Sequence, residues 1–120
     1  VLKRDGNGQV SANCIGIPAV LPYSMAAEVN YQAFELVSTD YHNALYGYIE
    51  AEGWKNNFDS LYPTVSYNRE RNGTVITQQI TLTEKIRHII HHPENRNNSY
   101  TEGDLKESIE RMRSFIMAQP

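Results

Sequence analysis

Apolar side chains recur at helical spacing in four stretches of the chain, and polar segments separate these stretches. The most regular pattern lies nearest the C-terminal end, where apolar residues follow one another at intervals of 4, 3 and 4 positions: Leu105, Ile109, Met112 and Ile116. This spacing predicts an amphipathic helix that begins at Ser99 or Thr101. Four charged residues are expected on its solvated face: Glu107, Glu110, Arg111 and Arg113.

The first predicted helix runs from about Ser24 to Val37. Ser24 is its expected N-cap, because a serine hydroxyl accepts a hydrogen bond from the free N–H groups of the first turn. Two prolines precede it and exclude a helix upstream. Its apolar stripe is predicted to consist of Met25, Val29, Ala33, Leu36 and Val37.

The second predicted helix covers about residues 41–52. Thr39-Asp40 provides its cap, and Gly53 ends it. Its inner face is predicted to consist of Tyr41, Leu45, Tyr48 and Ile49. Because the linker between the first two helices is short, they are expected to pack as a helical hairpin.

The pattern changes to extended structure around residues 62–80. Tyr62-Pro63 opens a stretch with the sequence TVSY, and a later stretch, TVITQQITLT, is rich in β-branched residues. The dipeptide Asn72-Gly73 between them is typical of a tight turn between strands. The sequence therefore predicts an insert around residues 62–80 that is a β-hairpin or an extended segment.

A further helix begins after this insert, at Thr81 or Thr83. Thr81 and Glu84 have the spacing of a capping box, and the helix is expected to stop before Pro93. Its inward-facing residues are predicted to be Ile86, Ile89, Ile90 and Pro93. The predicted fold is mainly α, a small bundle of about four helices with a hairpin-like insert.

The composition suggests how the chain is divided. Residues 1–13 are polar and include two glycines, which predicts a flexible arm or linker. Residues 14–120 are expected to form a single helical domain. Because the chain begins with Val1 rather than Met, we expect it to be a fragment or a trimmed chain.

Charge and cysteine content exclude several classes of protein. The net charge of −3 excludes a broadly basic nucleic-acid coat. No apolar run is long enough for a membrane span, so no membrane partner is expected. The single cysteine, Cys14, excludes an internal disulfide and a Cys-rich zinc site, and a cytoplasmic location is predicted. Residues 67–96 have 5 basic and 3 acidic side chains and three of the 4 histidines, which makes them the place to seek a site.

The candidate chemistry lies at the end of the helix that follows the insert. Arg87 and His91 are four positions apart, and so are His88 and His92, so the helix end brings these four side chains close together. Arginine has a planar cation suited to phosphate, and histidine transfers protons near neutral pH. This combination suits metal-free cleavage of a phosphodiester in RNA, where a ribose 2′-hydroxyl is the nucleophile.

Residues 87–92, RHIIHH, resemble the signature of HEPN domains, in which an Arg is followed by a polar residue, three variable residues and a His. Arg87, His88 and His92 occupy the three defined positions. HEPN domains are small, usually dimeric helical bundles, and many are metal-independent endoribonucleases of prokaryotic toxin–antitoxin, abortive-infection and CRISPR systems. The resemblance implies that Arg87 stabilises the scissile phosphate, that His92 is the general acid/base, and that His88 orients the substrate or the arginine.

The same resemblance implies partners. RNA is the expected substrate, and a homodimer is expected because the Arg and His of two protomers meet at the interface in such enzymes. No metal ion and no cofactor are expected. Four further residues are predicted to bind the substrate: His91, Arg69, Arg71 and Arg96.

A second resemblance covers more of the chain. Residues 17–37 look like a segment near the C-terminus of AAA/ABC-type ATPases of bacterial phage defence, including an acidic-x-Asn-Tyr motif at Glu28 to Tyr31. Residues 81–112 look like the end of similar ATPases. The resemblance implies that this chain is the C-terminal fragment of a larger protein, with an ATPase domain in the same full-length chain. This chain has no phosphate-binding loop of its own.

Three alternatives to a ribonuclease remain open at this point. The arginine and histidines could simply form a solvated helix end, where histidine interacts favourably with the helix dipole. The chain could be a non-catalytic C-terminal helical domain of the defence ATPase, serving dimerisation or partner docking. His88 and His92, with Glu94, could also bind a metal ion.

Overall fold

The computed structural model describes residues 17–119. The predicted arm of residues 1–13, and Cys14, lie outside this part of the chain. Five helices and one two-stranded antiparallel hairpin are found within it. In chain order they are α1 (Ala26–Phe34), α2 (Thr39–Ala51), α3 (Lys55–Ser60), β1 (Thr64–Arg71), β2 (Thr74–Thr81), α4 (Leu82–His91) and α5 (Glu102–Met117).

Helix α5 is the central element. The contact between α2 and α5 is the most extensive contact between two helices. All four residues of its predicted stripe are buried: Leu105, Ile109, Met112 and Ile116. This confirms the helix and its inward face. The fit is close because a 4-3-4 spacing keeps apolar side chains in line along a straight helix.

Side-chain caps fix the start of three helices. Ser38, rather than Thr39-Asp40, caps α2 by accepting from the Tyr41 N–H, and Thr81 caps α4 as predicted. Thr101 caps α5 in a complete capping box with Asp104. Each cap satisfies an N–H that has no partner within its helix, so the sequence determines these boundaries locally.

The predicted hairpin is confirmed. β1 and β2 pair without a bulge from Thr64↔Thr81 to Arg71↔Thr74. Asn72 and Gly73 have φ angles of 54° and 78°, the positive values that a two-residue hairpin turn requires at both positions.

The prediction for the first helix was wrong in its N-cap, its end and its buried face. The helix ends at Phe34 rather than Val37. The N-cap is Met25, which provides no side-chain hydrogen bond, and not Ser24. The helix buries Glu28 and Tyr31, whereas Val29 and Leu36 of the predicted stripe are exposed. The apolar spacing pointed to the wrong face because distant residues offer Glu28 a buried partner.

That partner is Arg113 of α5, which was predicted on the solvated face and is instead buried. Its guanidinium donates to the Tyr41 hydroxyl at 2.8 Å and to the Pro18 carbonyl at 2.7 Å. Glu28 accepts from the same hydroxyl at 2.7 Å, and its Oε2 lies 3.8 Å from the Arg113 Nη1.

The Glu28 carboxylate also accepts from the backbone N–H groups of Val20 and Leu21. A buried ion pair of this kind is tolerated because its polar atoms are hydrogen-bonded.

Other departures are smaller. The short helix α3 was not predicted, so the described residues contain five helices rather than about four. On α2, Tyr46 is buried while Tyr48 is half-buried, and on α4, Pro93 follows the helix as an exposed residue. No helix within residues 17–119 has both the length and the apolar character that crossing a bilayer requires.

Candidate functional site

The last turns of α4 line an open cleft of about 400 Å³. All four residues of the candidate group line it: Arg87, His88, His91 and His92. The remaining walls come from three helices and consist of Tyr46, Glu50, Lys55 and Glu84. In the structure, the four candidate residues of α4 therefore lie opposite side chains from α2 and α3.

The guanidinium of Arg87 lies over an aromatic ring of α2. Its carbon is 4.2 Å from the centroid of the Tyr46 ring, a cation–π contact. Among residues 17–119 the guanidinium has no hydrogen-bond or ion-pair partner. The ring therefore holds the cation in place while its N–H donors remain free to bind a ligand in the cleft.

A stack of three rings connects the hairpin to the histidines. The Tyr67 ring of β1 stacks on His88 with centroids 5.2 Å apart, and His88 stacks on His92 at 6.3 Å. Tyr67 is buried, so the middle of β1 helps to fix the orientation of His88. The hairpin thus has a structural role in the cleft.

Glu84 connects Lys55 to His88 in the cleft. Its carboxylate accepts from the Lys55 ammonium at 2.6 Å, and its second oxygen lies 3.4 Å from Nε2 of His88. Burial lowers the pKa of Lys55, but hydrogen bonds to Asp59 and Glu84 outweigh burial and raise it. Lys55 is therefore charged, and its partners are Asp59 and Glu84. Arg87 has no such partner among residues 17–119.

The two histidines of the HEPN-like motif have different surroundings. Burial lowers the pKa of His88, and Arg69 and His92 add to this effect while Glu84 opposes it. His88 is therefore neutral at pH 7. His92 is more exposed, and its Nδ1 lies 3.2 Å from the Glu94 carboxylate. Donation from Nδ1 to Glu94 leaves Nε2 of His92 as the nitrogen that can accept a proton.

The three predicted phosphate-binding arginines lie at different distances from the cleft. Arg69 donates to Gln78 at 3.0 Å, and its guanidinium lies 6.0 Å from the Tyr67 ring centre. It lines a smaller cleft of about 70 Å³ that also includes His92. Arg71 and Arg96 are exposed and line neither cleft.

The fourth histidine, His42, belongs to the core. Its Nε2 lies 2.8 Å from the Ser108 hydroxyl, which in turn lies 2.7 Å from that of Thr83. Its Nδ1 is buried and has no partner among residues 17–119. Burial, with a contribution from Arg87, lowers the pKa of His42 to about 4. It is therefore neutral, and it connects α2 to α5.

The structure also bears on the metal hypothesis. Across residues 17–119, no three or more His, Cys, Asp or Glu side chains are grouped so that they could hold a metal ion. His88 and His92 are stacked face to face, and Glu94 contacts only His92 of the two.

Sequence reasoning found α4 but missed the opposite wall of the cleft. Tyr46 was absent from the predicted inner face of α2, and Lys55 lies in a helix that was not predicted. Glu84 was identified only as a capping residue. The missing signal is tertiary, because the contact from Lys55 to Glu84 joins residues 29 positions apart.

Comparisons with protein-family models, with curated proteins and with solved structures found no match for this chain. The HEPN and ATPase resemblances therefore depend on the motifs in the sequence. The geometry of the cleft is the independent observation from which a function can be inferred.

Proposed function

We propose that this chain is an HEPN-like, metal-independent endoribonuclease or RNA-binding module of a prokaryotic defence system, and that the cleft at the end of α4 binds the RNA backbone. The observation that supports this most is the state of Arg87. It is stacked on Tyr46 beside three histidines, and its donors are free of partners among the residues that the structure describes. A phosphate group would supply the acceptors that the fold does not.

The surroundings of Arg87 leave it available to an anionic group such as a phosphate diester. The cleft already contains two carboxylates, Glu50 and Glu84, and the latter is held by Lys55. Arg87 is thus the cation of the cleft that can interact with an incoming anion, and the adjacent histidines can exchange protons with it. A guanidinium binds two phosphate oxygens in a bidentate manner.

The proposed reaction is transesterification within RNA. Nε2 of His92 accepts the proton of a ribose 2′-hydroxyl, and the oxygen forms a bond to the adjacent phosphorus. The bond from phosphorus to the 5′-oxygen breaks, and this oxygen takes up a proton from a second acid. Arg87 stabilises the charge on the phosphate oxygens in the transition state. The products are a 2′,3′-cyclic phosphate and a 5′-hydroxyl.

The second acid distinguishes two versions of the proposal. His91 of the same cleft is one source, and a histidine from a second protomer is the other, in line with the dimer that the HEPN resemblance implies. His88 is a positioning residue, because Tyr67 and Glu84 fix its ring.

The test is RNA cleavage by the purified chain in excess EDTA. Arg87→Ala and His92→Ala are each expected to lower the rate by about 100-fold or more. Arg111→Ala is the matched control, because Arg111 also lies over a tyrosine ring, that of Tyr62, but pairs with Glu107 of its own helix α5 and lines neither cleft. Circular dichroism checks that each variant is folded.

Cleavage that yields cyclic-phosphate ends, persists in EDTA and Arg111→Ala, and is lost in the other two variants would support the proposal. Binding of RNA without cleavage, weakened by Arg87→Ala alone, would favour an RNA-binding module. Equal activity in all variants would refute it.

A second candidate is a non-catalytic C-terminal domain of a defence-associated AAA/ABC-type ATPase that mediates dimerisation or docking. The observation that favours it is the apolar exposure around α1, where Phe34 and Leu36 are 77% and 54% exposed. Apolar side chains exposed to this extent often mark a contact with another protein surface. A folded protein that neither cleaves nor binds any RNA would favour this candidate.

A further inference from the structure

The two outer edges of the hairpin differ. On β1, the outward N–H of Asn68 donates to the Asn98 side chain at 2.7 Å. The outward carbonyl of Asn68 accepts from the side-chain amides of Asn98 at 2.8 Å and Asn95 at 3.0 Å. The loop after α4 therefore covers the edge of β1 at Asn68, in the middle of the strand.

These hydrogen bonds also show which backbone N–H and C=O groups of β2 face outward. Asn68 pairs with Thr77. Because the backbone N–H and C=O of Asn68 point away from β2, those of Thr77 point away from β1. In an antiparallel pair the backbone groups of every second residue point outward, so those of Val75 and Gln79 also point away from β1. In the part of the chain that the structure describes, no strand pairs with this edge.

The free edge of β2 also lacks the features that normally prevent pairing. Its sequence, TVITQQIT, contains no charged residue and no proline, and its pairing with β1 has no bulge. Edge strands of stable monomers usually have such a feature. β1, whose edge is covered at Asn68, has three charged residues: Arg69, Glu70 and Arg71.

We propose that the β2 edge is a homodimer interface, in which β2 pairs antiparallel with β2 of a second copy about a two-fold axis at Thr77. In this register Thr77 faces Thr77 of the other copy, and Val75 faces Gln79. Every outward N–H and C=O of these three residues then meets a carbonyl or N–H of the same three residues. The interface is isologous, as two-fold symmetry requires.

Charge distinguishes a second copy from other extended partners. A charged peptide would find no opposite charge on β2, whereas two copies of β2 bring no like charges together. The half-exposed Val75 and Ile76 gain cover from the partner strand. A four-stranded sheet also adds backbone hydrogen bonds between strands that a two-stranded hairpin lacks.

The proposed dimer has a consequence for the clefts. An axis perpendicular to the sheet keeps the same face of both hairpins on one side, and Tyr67 on that face contacts His88. Both copies of α4 would therefore lie on one side of a continuous four-stranded sheet. The interface is independent of the proposed ribonuclease function, and its test does not involve RNA.

The first test is the mass of the 120-residue chain by equilibrium sedimentation. Wild type is expected at twice 13.7 kDa. Thr77→Pro removes an outward N–H without removing a bond to β1, so it is expected to yield a monomer. Ser66→Pro is the matched control, because the N–H of Ser66 faces outward on the opposite edge, and it should remain dimeric.

A second pair of variants avoids the rigidity of proline. Thr77→Lys places two cations opposite each other at the axis and should yield a monomer, whereas Ser66→Lys should not. In a Cys14→Ser background, Thr77→Cys should form an intermolecular disulfide and Ser66→Cys should not. A monomeric wild type would overturn the proposal, and so would a dimer that both Thr77→Pro and Thr77→Lys leave intact.

Discussion

Two of the arginines that lie over tyrosine rings, Arg113 and Arg87, have very different settings. Arg113 lies 4.8 Å from the Tyr31 ring centre, and Arg87 lies 4.2 Å from that of Tyr46. Arg113 is buried and donates to Tyr41 and the Pro18 carbonyl. Arg87 faces an open cleft. The aromatic contact is common to both, so the difference lies in what the N–H donors contact.

This comparison separates a structural arginine from a candidate ligand-binding arginine. The donors of Arg113 are used within the fold, and removing its partners would leave a buried charge. The donors of Arg87 have no partner among residues 17–119, so the fold gains little from its charge. Variants in the two regions should therefore affect different properties: stability at Arg113, and ligand binding at Arg87.

The largest effect is expected at the buried pair. Glu28→Ala removes the acceptor for the Tyr41 hydroxyl and two backbone N–H groups and leaves the charge of Arg113 buried. We expect the free energy of unfolding to fall by about 3–5 kcal/mol in urea titrations. Glu50→Ala, an exposed carboxylate of the cleft, is the control and should cost little. If Glu28→Ala lowers the free energy of unfolding by no more than Glu50→Ala does, Arg113 and Glu28 do not have the structural role that the comparison gives them.

The second effect is a pH dependence of stability that comes from His42 and is influenced by Arg87. The pKa of His42 is about 4 in the folded protein, below its ordinary value of 6.5, so the unfolded chain binds the proton first as pH falls. The His42 contribution to stability is complete above pH 6.5 and is lost between pH 6.5 and 4, by about 3 kcal/mol in total.

The measurement is urea unfolding across this pH range, with His42→Gln as the reference variant that lacks the titrating ring. Arg87 is one cause of the lowered pKa, so Arg87→Ala should raise the pKa of His42 and reduce the loss. Identical pH dependence in wild type and His42→Gln would show that His42 does not have this role.

A smaller effect on stability is expected at Arg87 itself. Arg87→Ala removes one cation–π contact and should cost less than about 1 kcal/mol of unfolding free energy at pH 7. Stabilisation of wild type by a short, non-hydrolysable RNA should nevertheless be lost in this variant. A stability cost equal to that of Glu28→Ala would make Arg87 a structural residue instead.

The smallest effect concerns the proton equilibrium of the cleft. Glu84 raises the pKa of His88, so Glu84→Gln should lower that pKa further, as followed by NMR titration of the imidazole protons. Stability should change by only about 0.5 kcal/mol, because the lost ion pair with Lys55 is partly exposed. Glu107→Gln, on an exposed part of α5, should leave His88 unaltered.

Local signals in the sequence predicted much of the fold. The stripe of α5, the Asn72-Gly73 turn and the Thr81 cap are each encoded within a few residues, and the structure confirms them. The face of α1 was not predictable in this way. Glu28 is buried because Arg113 and Tyr41 meet it, and no spacing within α1 reveals these partners.

The candidate site shows the same division. The four residues of the α4 end lie within six positions of one another, so helical geometry alone placed them together. Tyr46 and Lys55 reach the cleft from other helices. Lys55 belongs to a six-residue helix without an apolar stripe, which periodicity cannot detect.

The hydrogen bond from Arg113 to the Pro18 carbonyl has a consequence for synthesis of the protein. It joins residues 95 positions apart, and the bond from Arg113 to Tyr41 spans 72. Contacts between distant residues require loop closure before they contribute any stability. While the ribosome extends the chain, α1 and α2 emerge long before the arginine that neutralises Glu28. The core of this protein therefore closes late, after nearly all of α5 has left the exit tunnel.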